Sequence, residues 1–285
     1  MNTDPSIVAR LTADSGRPRC VVSDLDGTLL HSDGRLSQNS AEVLKQVHRL
    51  GVDVVLATAR PYRAARHLLA DMPFVSYLIC SNGAVGYDVQ AKRFSRVAYL
   101  PGPRLRTIVA EIRLRHPEAK LAFDTVAGRI VDPEWPRQFL SVPGQASLWP
   151  LAADEVPEYP TMCLMVLGAW TSVSEVPSHL RPFATSSAYG LIEFGAVAAS
   201  KLDAVNWWSS SRHIPLRDVV AFGDMPNDLD LLTASGLGVA VANAHPSILS
   251  SVSLRTLSND HDGVVEFLRQ IFLSTELDGL VDVRT

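Results

Sequence analysis

The chain has 285 residues, enough for one large domain or two smaller ones around a buried core, and its 47% hydrophobic and 20% charged residues match an ordinary globular protein rather than a disordered one. A formal net charge of −4 gives no broad electropositive field, and no basic run is interleaved with aromatics, so nucleic acid is not an expected partner and any anion must be met locally. Cys20, Cys80 and Cys163 lack the spacing of a disulfide framework or zinc site, and neither a signal-peptide core nor an apolar span of ~18 residues is present, so no membrane is expected and the cytoplasm is the expected location.

In chain order, Cys20–Ser23 reads as a short buried strand. Residues 37–50 follow as a helix with Val43, Leu44, Val47 and Leu50 at helical spacing, ended by Gly51. Asp53–Ala57 is a second strand, residues 61–70 a second helix opened by Pro61 in its first turn, and Tyr77–Cys80 a third strand. The alternation returns with a helix over 199–210, a strand over 219–222, a helix over 227–234, a strand over 237–241 and a last helix over 263–272. Strands alternating with helices at these lengths predict an α/β fold with a doubly wound parallel sheet. The middle is richer in proline and holds the strand-like run Thr161–Leu167. It reads as an inserted α+β domain over 84–188, with 1–83 and 189–285 forming the core.

The first strand runs into Asp24-Leu25-Asp26-Gly27-Thr28, at the carboxyl end where open α/β sheets bind ligands. Alternation along an extended chain would let Asp24 and Asp26 share one cavity while Leu25 enters the core, although Asp-Gly is also a common turn pair. Thr58 ends the second strand, where threonine is often a cap, and Lys201 opens a helix, where lysine is often solvated. The strand 219–222 runs into Gly223-Asp224-Met225-Pro226-Asn227-Asp228. Helix capping accounts for one acid there, but not for two acids and an amide beside a glycine.

Together these four segments resemble the haloacid dehalogenase superfamily, and the insertion resembles the α/β cap of its Cof-type sugar phosphatases. Arg60-Pro61, Ser81-Asn82-Gly83-Ala84 and Asn259-Asp260-His261-Asp262-Gly263-Val264 add to the likeness, while Ala59 stands where relatives usually have glycine. The resemblance implies a phosphatase acting on a small phosphorylated metabolite, a sugar phosphate in the first place, through an aspartyl-phosphate on Asp24. Asp26 would be the general acid and base. Three carboxylates would repel an incoming dianion, so a cation is needed, and Mg²⁺ suits oxygen ligands and phosphate. By resemblance its ligands are the side chains of Asp24 and Asp224 and the backbone carbonyl of Asp26. Thr58, Lys201 and Asn227 would hold the phosphate, with Asp228 orienting Lys201 or a metal-bound water.

Cap residues should choose the leaving group. Arg60 and Asn82, at the boundary, are candidates for touching it, with Arg113, Arg115, His116, Trp135 and Trp149 as weaker ones that a solvated helix face or a core would equally explain. Other readings of the same residues are a sugar phosphomutase, a non-catalytic ligand-binding relative and a signalling receiver domain. The last is disfavoured because receivers are shorter, lack a large insertion and have no second acid two residues after the phosphorylated one.

Overall fold

A run such as Cys20-Val21-Val22-Ser23 has no polar face to turn to water, so it is stable only in a sheet covered on both sides. The computed structural model describes residues 16–125, 128–136, 148–150, 156–157, 159–186, 190–196 and 200–273, and all four residues of this strand are buried in it. The chain enters through β1 (Cys20–Ser23), α1 (Gln38–Arg49), β2 (Asp53–Ala57), α2 (Tyr62–Ala65), β3 (Tyr77–Cys80), β4 (Val85–Asp88) and β5 (Arg93–Val97). It continues through α3 (Gly102–Arg115), β6 (Lys120–Thr125), β7 (Arg129–Val131), β8 (Leu148–Pro150), β9 (Thr161–Leu167), β10 (Ala184–Ser186) and β11 (Ile192–Gly195). It returns with α4 (Lys201–Ser211), β12 (Val219–Gly223), α5 (Leu229–Ala234), β13 (Leu237–Ala240), α6 (Pro246–Ser251), β14 (Leu254–Arg255) and α7 (Gly263–Leu268).

Among the described residues, the large sheet has the order β14-β13-β12-β1-β2-β3-β4-β5. It is parallel from β14 to β3, as the strand–helix alternation predicts, with β1 between β2 and β12. The helices follow from local chemistry. At the start of α1 the Ser37 side chain accepts from the Ser40 N–H, and Val43, Leu44 and Val47 are buried. Gly51, at φ +82°, stops the helix in a conformation glycine adopts without strain. Leu50, counted on the apolar face in the sequence, caps the helix and is 53% exposed. Pro61 precedes α2 rather than lying in its first turn, and the predicted second helix is completed by a tighter 3₁₀ turn over Arg66–Ala70.

The large sheet does not stop at residue 83, where the sequence reading starts the insertion. Ser81, Asn82 and Gly83 have successive positive φ angles, and this tight turn brings β4 back antiparallel on β3, with β5 next to it. The Ala98 N–H donates to the Ala84 carbonyl at 2.6 Å, and a Cβ added to Gly83 would stand 2.1 Å from the Ser200 carbonyl oxygen. The points where the chain leaves and rejoins the large sheet are therefore neighbours. The expected second boundary, near 188–189, comes too early, since β11 pairs with β9 and not with the large sheet.

A second sheet has the order β10-β11-β9-β6-β7-β8 among the described residues. Alternation along its strands turns Leu121, Phe123, Leu164, Val166, Ile192 and Phe194 toward Leu105, Ile108 and Ile112 of α3, forming a core separate from that of the large sheet. None of the described helices is long and apolar enough to cross a membrane.

Candidate active site

Parallel neighbours end at the same edge, so β1 and β12 deliver Asp24 and Asp224 side by side, with the Asp24 N–H donating to the Phe222 carbonyl at 3.1 Å. Beyond Ser23 the chain turns, with the Thr28 and Leu30 N–H groups both donating to the Leu25 carbonyl. Gly27, at φ +76°, leaves no room for a side chain, since a Cβ would lie 2.5 Å from Asp224 Oδ2. Thr28 Oγ1 donates to Asp224 Oδ1 at 2.9 Å, and Asn243 Nδ2 donates to the Gly27 carbonyl at 2.7 Å. The Asn259 N–H donates to Asn243 Oδ1, so the loop after β1 is tied to the segments after β12, β13 and β14.

Lys201 is the first residue of α4, whose start is fixed by the Ser200 side chain accepting from the Asp203 N–H. Its ammonium is buried and donates to Asp24 Oδ1 at 2.6 Å and to Asp228 Oδ1 at 2.7 Å. Asp228 Oδ2 accepts from the backbone N–H groups of Asp224 and Met225. Carboxylate atoms of Asp24, Asp224 and Asp228 lie within 4.8 Å of one another. Three buried carboxyls thus face one ammonium, and the titration shifts follow from that excess. Burial pushes Asp24 up, against Lys201 and with help from Asp228 and Asp224. Asp224 is pushed up to about 6, again mainly by burial. Burial would lower Lys201, but Asp228 and Asp24 outweigh it and hold the ammonium protonated. An all-oxygen donor set with surplus negative charge fits Mg²⁺.

Asp26 is placed differently from the expectation of a shared cavity. The alternation rule ends where β1 ends, and the turn carries this side chain outward, 55% exposed, with Arg60 Nε donating to Oδ2 at 2.7 Å and Arg60 Nη2 to Oδ1. Thr58 is fully buried. Its Oγ1 accepts from the Arg60 N–H at 3.0 Å, which leaves the hydroxyl proton available to a ligand. The turn at 81–83 is stitched to this loop by Asn82 N–H to the Thr58 carbonyl and Ser81 N–H to the Arg60 carbonyl. Asn227 Nδ2 donates to Asn82 Oδ1 at 2.9 Å across the site. Asp24, Asp26, Thr58, Lys201, Asn227, Asp224, Asp228, Arg60 and Asn82 therefore all gather at the carboxyl edge of the sheet.

The weaker insertion candidates do not join them. Arg113 pairs with Asp132, Arg115 with Glu111, His116 packs on Trp170, and Trp135 is buried with Ala122, Val131, Met165 and Leu191. The side chain of Trp149 falls outside the described part. Sequence reasoning missed Asn243 and a polar group on the small sheet. There Asp124 accepts from Arg129 Nε at 2.9 Å and Nη2 at 2.7 Å, and from Arg63 of α2. Glu193 stands beside them on the same face, opposite the α3 side.

Burial pushes Glu193 up to about 7, with Asp124 adding and Arg129 opposing. An unfolded glutamate titrates near ~4.3, so between the two values the folded protein keeps a proton that the unfolded chain has lost. Stability should therefore fall as pH rises through that window. Asp124, Arg129 and Cys163 are the charged or titratable neighbours of Glu193, and Arg63 reaches Asp124 from α2. Glu193→Gln is expected to be more stable than the unmodified protein by about 1–3 kcal/mol at pH 8 and to match it near pH 4. Denaturant titrations at both pH values measure this, and an unchanged pH dependence would exclude Glu193 as its source.

A family model described as haloacid dehalogenase-like hydrolase matches residues 21–135 and 169–268. Among curated proteins, a 5-amino-6-(5-phospho-D-ribitylamino)uracil phosphatase of Bacillus subtilis is 24% identical over 275 residues, covering 90% of this chain and 98% of its own. A pyridoxal phosphate phosphatase of Escherichia coli is 23% identical, covering 88% and 97%. Among solved structures, a haloacid dehalogenase-like hydrolase from Bacteroides thetaiotaomicron superposes with a TM-score of 0.77 at 22% identity, covering 90% of this chain and 100% of that one. A subclass IIB sugar phosphatase gives 0.76 at 18% identity, covering 88% and 98%. At such identities the structural likeness is one of fold.

Proposed function

Because this chain belongs to the haloacid dehalogenase-like hydrolase family and is a phosphoric monoester hydrolase, we propose that it removes phosphate from a small phosphorylated metabolite, a sugar phosphate in the first place, with Mg²⁺ and through an aspartyl-phosphate on Asp24. The observation that carries the reading is Lys201 bridging buried Asp24 and Asp228, with Asp224 alongside. Residues 1–83 and 189–285 are the proposed catalytic unit, with 84–188 as its cap, except that the hairpin β4–β5 belongs to the large sheet and β11 to the small one.

The side chains of Asp24 and Asp224 and the carbonyl of Asp26 would hold Mg²⁺, which when bound offsets negative charge on the carboxylates and on the phosphoryl oxygens. An Asp24 carboxylate oxygen attacks phosphorus, and the bond to the leaving oxygen breaks. Asp26 gives that oxygen its proton, then takes one from the water that attacks phosphorus in the acyl phosphate, freeing inorganic phosphate and Asp24. Both Asp26 oxygens accept from Arg60, so this pair must open, and an incoming phosphoryl group offers Arg60 replacement acceptors. Lys201 keeps Asp24 in place and adds positive charge, Thr58 and Asn227 donate to phosphoryl oxygens, and Asp228 holds Lys201.

Release of inorganic phosphate from p-nitrophenyl phosphate should require Mg²⁺ and stop in excess chelator. A colorimetric phosphate assay with metal added back checks this and separates hydrolysis from phosphoryl return to substrate. Full activity in chelator would remove the metal from the reading.

A further inference from the structure

The small sheet presents polar groups on the face opposite α3 that the chemistry at Asp24 does not use. One of them, and an arginine of α2 that meets this face, want partners. Glu193 makes no hydrogen bond or ion pair among the described residues, and the buried Nε–H of Arg63 has no acceptor there, although its Nη2 pairs with Asp124. Asp124 cannot fill either need. Its oxygens already accept from Arg129 and Arg63, and a second carboxylate offers Glu193 no donor. A buried guanidinium N–H is ordinarily paired, so this unpaired donor, in one cluster with the unpaired and partly exposed Glu193 carboxyl, suggests a ligand that supplies an acceptor to one and a donor to the other.

Helix α2 connects this cluster to the reacting end. Arg60, just before its first turn, reaches Asp26, while Arg63, three residues on, reaches Asp124 of the small sheet. A phosphate ester held at Asp24 would therefore have its remaining atoms directed along α2 toward Glu193. We propose that Glu193 and Arg63 bind the leaving group of the substrate, and that this group is a sugar or polyol bearing free hydroxyls; the proposal rests on the phosphatase reading above. A hydroxyl both donates to a carboxylate and accepts from a guanidinium N–H. An ammonium group would satisfy Glu193 alone. A second phosphate would satisfy Arg63 alone and be repelled by Glu193 and Asp124, and an alkyl chain would satisfy neither.

The test compares kcat/KM for D-sorbitol 6-phosphate and n-hexyl phosphate, which match in chain length and in their primary leaving oxygen. The unmodified protein is measured beside Glu193→Met, Glu193→Gln and Arg63→Lys at saturating Mg²⁺. The unmodified protein should favour the sorbitol ester by about tenfold or more, and Glu193→Met should narrow that ratio about tenfold. Glu193→Gln, which keeps an acceptor, should restore part of it. Arg63→Lys, which keeps the charge but loses the Nε–H, should narrow it as well. A preference for the hexyl ester, or an unchanged ratio in Glu193→Met, overturns the proposal. Calorimetric affinities of both esters for Asp24→Asn, with and without Glu193→Met, give the same comparison without turnover. A protein that also releases no phosphate from p-nitrophenyl phosphate would refute the phosphatase reading, while the binding ratio would still decide the role of Glu193.

Discussion

Asp24→Asn is expected to lower phosphate release by about 10⁴-fold or more, the largest effect of any single substitution in the chain, because an amide fills the same space without a nucleophilic oxygen pair. The fold should survive. Asp24 is one of three carboxyls crowded around Lys201, and burial already works against its charge, so a neutral side chain there relieves repulsion while Lys201 keeps Asp228. Thermal melting should show a midpoint equal to or above that of the unmodified protein, and mass spectrometry after rapid quench should find no phosphorylated protein. Turnover within tenfold of the unmodified enzyme would move the nucleophile to another residue.

Lys201→Met should damage both stability and rate. Removing one partner of a buried pair leaves the others uncompensated, at a typical cost of about 3–5 kcal/mol, and here Asp24 and Asp228 lose their shared ammonium together. The loss should be fullest in chelator. A cation bound only by the folded state recovers part of it by mass action, so excess Mg²⁺ should raise the midpoint of the variant more than that of the unmodified protein. Phosphate release should fall about 10²–10³-fold even where the fold is restored, since a preorganised charge is missing from the phosphoryl oxygens. Denaturant curves in chelator and in Mg²⁺ measure the first effect. A variant as stable as the unmodified protein in chelator would show that the pair has no structural weight.

Much of this was legible in the chain. Buried strands such as Cys20–Ser23 and Val219–Gly223 read as unbroken apolar runs, and Asp24, Thr58, Lys201 and Asp224 each stand next to such a run or at a helix start. Local pattern and fold agree there. The direction of Asp26 was not legible, because the alternation that would pair it with Asp24 stops at a turn whose geometry depends on Asp224 crowding Gly27, about two hundred positions away in sequence. Nor was the hairpin after β3, since a turn through three left-handed residues, two of them not glycine, has a weak sequence signal. The polar face of the small sheet exists only once β6, β7 and β11 are paired around β9 or one another, and Asn243 matters through a backbone carbonyl that no motif records.

The closeness of Ala98, Ala84, Gly83 and Ser200 has a consequence for descent. Where a chain departs and returns at touching points, the stretch enclosed can grow, shrink or be traded for another without changing the span it must bridge, and the loop-closure cost rises only slowly with its length. The enclosed stretch behaves as a cassette. Lineages could diverge in what they recognise while the reacting residues of the host sheet stayed where they were, and a graft cut at 98 and 200 would meet the same two ends in any relative that keeps this junction.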